Sequence, residues 1–226
     1  MSHYTVTVVL PEEPKNKTHV LEMIQTIVEP FDENTQVEKY KSRFNLPEAW
    51  KDMPRRELPW PYSYARDEAP TLDLSDHEAT AKWFNDKWGE DESEGTYGAD
   101  EEGMYQWSTY NPQSKWDWWA LGGRWTGFYK LNDGSKGILG EPGAFGNIAA
   151  DGVDVARKGD IKVDEDRTQT YGVIDAEGKW NAPGEMHWFG ISSDTDTDKL
   201  QFDVWFQEFW DKLDADTWLA VCDFHI

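Results

Sequence analysis

Residues 114–129 read SKWDWWALGGRWTGFY, and four indoles, Trp116, Trp118, Trp119 and Trp125, crowd around Gly122-Gly123 and one guanidinium, Arg124. Indole faces stack on nucleobases and sugars. An arginine beside them grips a phosphate or carboxylate bidentately, or stacks on a ring as a cation–π pair. The glycine pair permits close backbone approach or positive φ, and so presents Arg124. The pattern suits a small anionic, ring-bearing ligand such as a nucleotide derivative, held by Trp116, Trp118, Trp119, Arg124 and Trp125. The competing reading makes these rings a core and pairs Arg124 with one of many carboxylates, since large aromatics are usually buried. If 115–119 is a strand, Trp116 and Trp118 face one way and Asp117 and Trp119 the other.

A second constellation joins the two ends of the sequence. Strand alternation at 217–226 puts Asp223 and His225 on one face, opposite Cys222, Phe224 and Ile226. If the first and last strands pair, His3 lies nearby. Imidazole and carboxylate together suit zinc or proton transfer, so His3, Asp223 and His225 are the metal and acid–base candidates. The alternative is two histidines that are simply exposed or hydrogen-bonded.

Other chemistry finds no pattern. GxSxG, HExxH and paired CxxC are absent, and His19, His77 and His187 stand isolated, so no residue is assigned as catalytic. No cofactor is expected. Asp194, Asp196 and Asp198 open like a calcium loop. Continuing that register puts Lys199 where glycine must turn and Trp205 where a bidentate glutamate belongs, so these residues are expected to cap the following helix. The glycines of 132–147 match neither a Walker loop nor a dinucleotide fingerprint and are expected to form a flexible loop between strands.

The elements that must position these groups are legible in outline. YTVTVVL, from Tyr4 to Leu10, predicts a strand with one apolar face and a mostly polar one at Thr5 and Thr7. Val20, Leu21, Ile24, Ile27 and Val28 predict a helix opened by Thr18 and closed by Pro30. Residues 44–70 hold five of the eleven prolines and are expected to be an irregular, aromatic-pinned insertion without regular helix. Ser75, with Glu78 as a capping box, is expected to open a short helix ending at Gly89, followed by an acidic loop at 90–103. Residues 169–174 read as a strand, 200–213 as a helix with an aromatic stripe, and 217–226 as a terminal strand. The sum is a single α+β domain over 1–226. Its mixed or antiparallel sheet centres on the N- and C-terminal strands, with two main helices and long aromatic-rich insertions.

Composition narrows the partners. The chain has 226 residues, with 44 acidic against 22 basic groups and a net charge of −22. Such a balance repels phosphate backbones and excludes direct nucleic-acid binding, but it attracts basic protein surfaces or serves solubility alone. The hydrophobic fraction is only 38%, yet 14 tryptophans carry enough apolar area for a core. One cysteine, Cys222, leaves no internal disulfide. With no apolar run of membrane-spanning length and no basic leader at Met1, a cytoplasmic protein without membrane contact is expected.

MSHYTVTVV, NPQSKWDWWALGGRWTGF and WLAVCDFHI, taken as a set, resemble an uncharacterised protein family carried by bacteriophages and some bacteria. The resemblance implies a small accessory protein acting in the host cytoplasm, and it carries over no residue roles. The leading expectation is therefore a non-catalytic phage or mobile-element protein that binds a nucleotide-like ligand, in one form to counter host defence by sequestering a signalling nucleotide. One alternative is an acidic nucleic-acid mimic that inhibits a basic host protein. Another is a metal- or His/Asp-dependent enzyme.

Overall fold

The computed structural model describes residues 2–88, 95–143, 151–163, 168–187 and 191–226. Expectations for Gly89, for 90–94 and for 144–147 fall outside the described residues. The elements begin with β1 His3–Val9, α1 Lys17–Val28, β2 Tyr40–Phe44, α2 Tyr62–Glu68, α3 His77–Trp88, β3 Tyr97–Asp100 and β4 Gly103–Ser108. They continue with β5 Trp118–Gly123, β6 Glu141–Pro142, β7 Val155–Arg157, β8 Gly172–Ile174, β9 Trp180–Asn181, α4 Asp196–Lys212 and β10 Trp218–His225. The class is α+β, and the chain divides into two compact units, 1–35 with 111–226, and 36–110.

The first unit is built on a mixed sheet of order β6-β5-β10-β1-β8-β9, with β7 pairing the early part of β10. The expected pairing of first and last strands is present. β1 and β10 run antiparallel over seven residue pairs, from His3 opposite His225 to Val9 opposite Leu219. The far edge of β10 takes β5, with Asp223 opposite Ala120 and His225 opposite Trp118.

Both faces of this sheet are covered, which is why its central strands read as nearly continuous apolar runs. Tyr4, Val6, Val8, Ala220, Cys222 and Phe224 pack with Val20, Met23, Ile24 and Val28 of α1. Val9, Val173, Leu219 and Val221 pack on the other side with Phe202, Phe206 and Trp210 of α4. The threonine face of β1 is therefore not a wet face. Thr7 is buried and its hydroxyl meets Tyr129 Oη at 3.2 Å and Thr170 Oγ1 at 3.0 Å, so the polar atoms are satisfied inside.

The starts of α1 and α3 follow Asn16 and Asp76 rather than the nearby threonine and serine. α1 is capped by Asn16, whose Oδ1 accepts the His19 N–H at 3.0 Å, not by Thr18. α3 is preceded by Asp76, which accepts the Ala79 N–H at 3.0 Å, where Ser75 had been expected. The DTDTD run caps as expected, since Thr195 and Asp198 form a full capping box at the start of α4.

In the second unit, β2, β4 and β3 form an antiparallel sheet, and α3 with α2 helps close a core of Tyr62, Ala65, Leu74, Ala81, Phe84, Tyr97 and Met104. The proline-rich stretch does contain a regular helix, α2. Its prolines, Pro61 and Pro70, flank the helix instead of interrupting it. Part of the expected acidic loop is ordered as the β3–β4 hairpin, with Asp100 bound by Lys41 at 2.6 Å and by Arg43 at 2.7 Å. The described part of the glycine-rich stretch is pinned too, through β6 and the bridge of Ile138 to Val155.

Phe206 is 1% exposed and sits among α4 and the sheet. Replacing it with alanine is expected to lower the unfolding free energy by about 3–5 kcal/mol, read from urea denaturation followed by far-ultraviolet circular dichroism.

Candidate functional site

The glycine pair resolves first. Gly122 and Gly123 both have positive φ, +76° and +55°, and a Cβ on either would collide with a buried carboxylate. At Gly122 it would lie 2.5 Å from Asp154 Oδ2, and at Gly123 it would lie 2.4 Å from Asp223 Cβ. The pair thus lets two acids lie against the backbone at the end of β5.

Asp154 is completely enclosed. Its carboxylate accepts the amides of Gly127 at 2.7 Å, Gly140 at 2.8 Å and Phe128 at 3.3 Å. Burial pushes its carboxyl above the ordinary range, against the pull of those amides. It ties the loops at 124–128 and 137–140 to the sheet. Asp223, 1% exposed, has both oxygens engaged, one by the Arg124 backbone N–H at 2.9 Å and the other by His3 Nδ1 at 2.8 Å.

Strand alternation and the β1–β10 register then place the remaining groups on one side of the sheet end. His3, Asp223 and His225 share that face with Trp118 of β5. His225 Nδ1 meets Asp117 Oδ1 at 2.5 Å, and the Asp117 N–H donates to the His225 carbonyl at 2.9 Å. The two imidazoles lie edge to face with centroids 4.9 Å apart, and His3 contacts the Trp118 ring at 6.1 Å. Each carboxylate accepts from Nδ1, so the neutral rings carry their lone pair on Nε2. Nε2 of His225 is enclosed without a hydrogen-bond partner. Glu33 adds a third acid beside Asp117 and His225. Burial first, then Asp117 and Asp32, raise its carboxyl above the usual value.

The structure separates the four tryptophans. Trp116 is 5% exposed, packs with Phe224 under the end of α1, and donates to the Val28 carbonyl at 3.0 Å. Trp119 stacks on Phe224 and donates to Gln25 Oε1 at 3.3 Å, on that same side. Trp116 therefore shares its cluster with Trp119 rather than with Trp118, because β5 begins only at Trp118 and strict alternation does not extend back through Asp117. Trp118, by contrast, is 47% exposed beside the histidines. Arg124 is exposed, and Trp125 half-buried, on the turn that follows β5.

Asp117 and Glu33 are the site residues that local spacing missed. Asp117 was legible only as a strand residue between tryptophans, and nothing local to Phe31–Asn34 marks Glu33. Among the described residues, no group of three His, Cys, Asp or Glu side chains has a metal-holding arrangement. The three candidates His3, Asp223 and His225 are adjacent, but the carboxylates already occupy both Nδ1 atoms.

Comparison with family models, with curated proteins and with solved structures finds no match.

Gly123→Ala forces a β-carbon into Asp223 at a left-handed φ. It is expected to cost about 2–5 kcal/mol of stability in urea denaturation. The same variant should shift the His3 ring resonances in NMR spectra, since Asp223 must move.

Proposed function

We propose that the sheet end carrying Trp118, His3 and His225 holds a small, anionic, ring-bearing ligand of nucleotide-like chemistry. Trp118 is the stacking face. The imidazolium form of His3, with Arg124 on the adjoining turn, meets the anionic group, while the enclosed His225 ring backs His3. The observation that supports the reading is the exposure of Trp118 on the face where the two histidines meet. Trp116 takes no part, being committed to the core, and Trp119 lies on the α1 side. In the bacteriophage or mobile-element setting that the sequence resemblance implies, such a site withholds a host signalling nucleotide.

Charge gives this reading a direction with pH. With neutral imidazoles, Asp117, Asp223 and Glu33 leave the site negative and unfavourable to an anion. Each imidazolium cancels one of its paired carboxylates, and the raised Glu33 carboxyl sheds charge sooner than an ordinary glutamate as pH falls. Binding of adenosine or guanosine 5′-monophosphate, measured by calorimetry, is expected to be tighter at about pH 5.5 than at about pH 8, as the raised Glu33 carboxyl begins to lose its charge. Trp118→Ala should weaken it about tenfold, the value of one lost base stack. Absence of binding at both pH values would reject the proposal.

A second reading rests on a cleft of about 910 Å³ at the opposite end of the β1–β10 pair. Glu12, Glu13, Asp160, Asp214 and Asp216 line it against Lys136 and Arg157, and Trp218 lies among them. Arg157 is already spent on Asp160 and Asp216, at 3.0 and 3.1 Å. That leaves an acidic cleft suited to a basic side chain of a partner protein, the mode an acidic mimic would use. Association through it should weaken steeply with salt and with Glu12→Gln/Glu13→Gln, measured by surface plasmon resonance against a basic nucleic-acid-binding protein.

A further inference from the structure

We infer that His3, oriented by Asp223, is a general base that hydrolyses a phosphoester bond in the ligand held against Trp118. The inference rests on the binding site proposed above and adds a reaction to it.

The geometry has the parts that activating a water requires. A base must present a free nitrogen lone pair, and a second group must fix which nitrogen that is. Asp223 does the fixing. It is 1% exposed, one oxygen is locked on the Arg124 N–H at 2.9 Å, and the other takes the His3 Nδ1 hydrogen at 2.8 Å. Gly123, lacking a β-carbon, lets this side chain lie directly against the backbone. The His3 Nε2 lone pair is thereby left for solvent or ligand, with the side chain 15% exposed and Trp118 beside it.

His225 has a different part. Its Nε2 is enclosed, so it does not reach a bound molecule; its ring instead backs His3 at a centroid distance of 4.9 Å, and Asp117 holds it there. Asp223, Asp117 and His225 are positioning residues, and His3 is the catalytic one.

The step balances without a co-reactant. His3 Nε2 takes a proton from water as the water oxygen bonds to phosphorus. The bond from phosphorus to the leaving oxygen then breaks, and that oxygen receives the proton from the imidazolium. One water is consumed, an alcohol and a phosphate with one fewer ester bond are released, and His3 returns to its neutral form.

The test uses the full chain with bis(p-nitrophenyl) phosphate, a singly charged, ring-bearing diester. Release of p-nitrophenolate above the buffer rate is expected. His3→Ala should lower kcat about 100-fold or more, and Asp223→Asn should lower it and displace the pH profile. Trp118→Ala, which removes the stacking face, should raise KM. Because Asp223→Asn risks the fold, the His3 substitution, at the partly exposed end of β1, carries the decision. No release by the unaltered chain, or equal release by His3→Ala, overturns the inference. If nucleotide binding persists in calorimetry while turnover is absent, the catalytic step falls and the binding site stands. If both are absent, both fall.

Discussion

The antiparallel pairing of β1 with β10 is the constraint on which the site depends. It joins residues more than two hundred positions apart, and its register decides which side chains meet. A slip of one residue would send Asp223 and His225 into the α1 side and turn Phe224 and Cys222 outward. Phe224 anchors the correct register. It stacks with Tyr4 and Trp119 and meets Trp116 and Trp180 edge-on, so the slipped register would expose one of the most heavily contacted rings in the unit. Apolar packing on one side of the sheet thereby holds the polar cluster in place on the other.

That cluster requires charge to be buried beside a β-strand, which is costly unless every oxygen finds a donor. The unit meets the condition twice, with the same device. Gly122 opens the backbone to Asp154 and Gly123 opens it to Asp223, and amides or an imidazole saturate each acid. Asp154 binds the loops, while Asp223 binds the turn bearing Arg124 and orients His3. The two adjacent glycines therefore admit one acid that ties loops to the sheet and one that orients His3.

Much of this was readable from sequence, and the boundary between what was and was not is physical. Alternation along WLAVCDFHI placed Asp223 and His225 together, and the matching strand at the other end of the sequence suggested His3 as their neighbour. Both readings depend on local period and on one simple pairing. The amphipathic helices α1, α3 and α4 were equally visible, because their stripes repeat at 3.6 residues, and so was the cap of α4; the starts of α1 and α3 were not, since Asn16 and Asp76 compete with nearby Thr18 and Ser75 as caps and only the backbone path decides. The division of the tryptophans was hidden for a related reason. It turns on where β5 begins, and that depends on β10 rather than on residues 114–119 themselves. Asp117 and Glu33 joined the site by the same non-local pairing, through a strand end and a loop with no pattern of their own. The threonines of β1 misled because a hydroxyl reads as solvent-facing, whereas Thr170 and Tyr129 supply its partners inside.

The net charge of −22 bears on the proposed anionic ligand. At physiological ionic strength the screening length is about 8 Å, so distant carboxylates contribute little and the groups in contact with the ligand decide. In the proposed site those groups are Arg124 and His3, the latter bonded to Asp223, and the His3–Asp223 pair makes the site's charge adjustable where a fixed arginine cluster would not be. A protonated dyad presents no net repulsion; a neutral one presents a carboxylate behind a lone pair. The first state favours holding an anion, and the second favours taking a proton from water. Retention and turnover thus draw on opposite protonation states of the same ring.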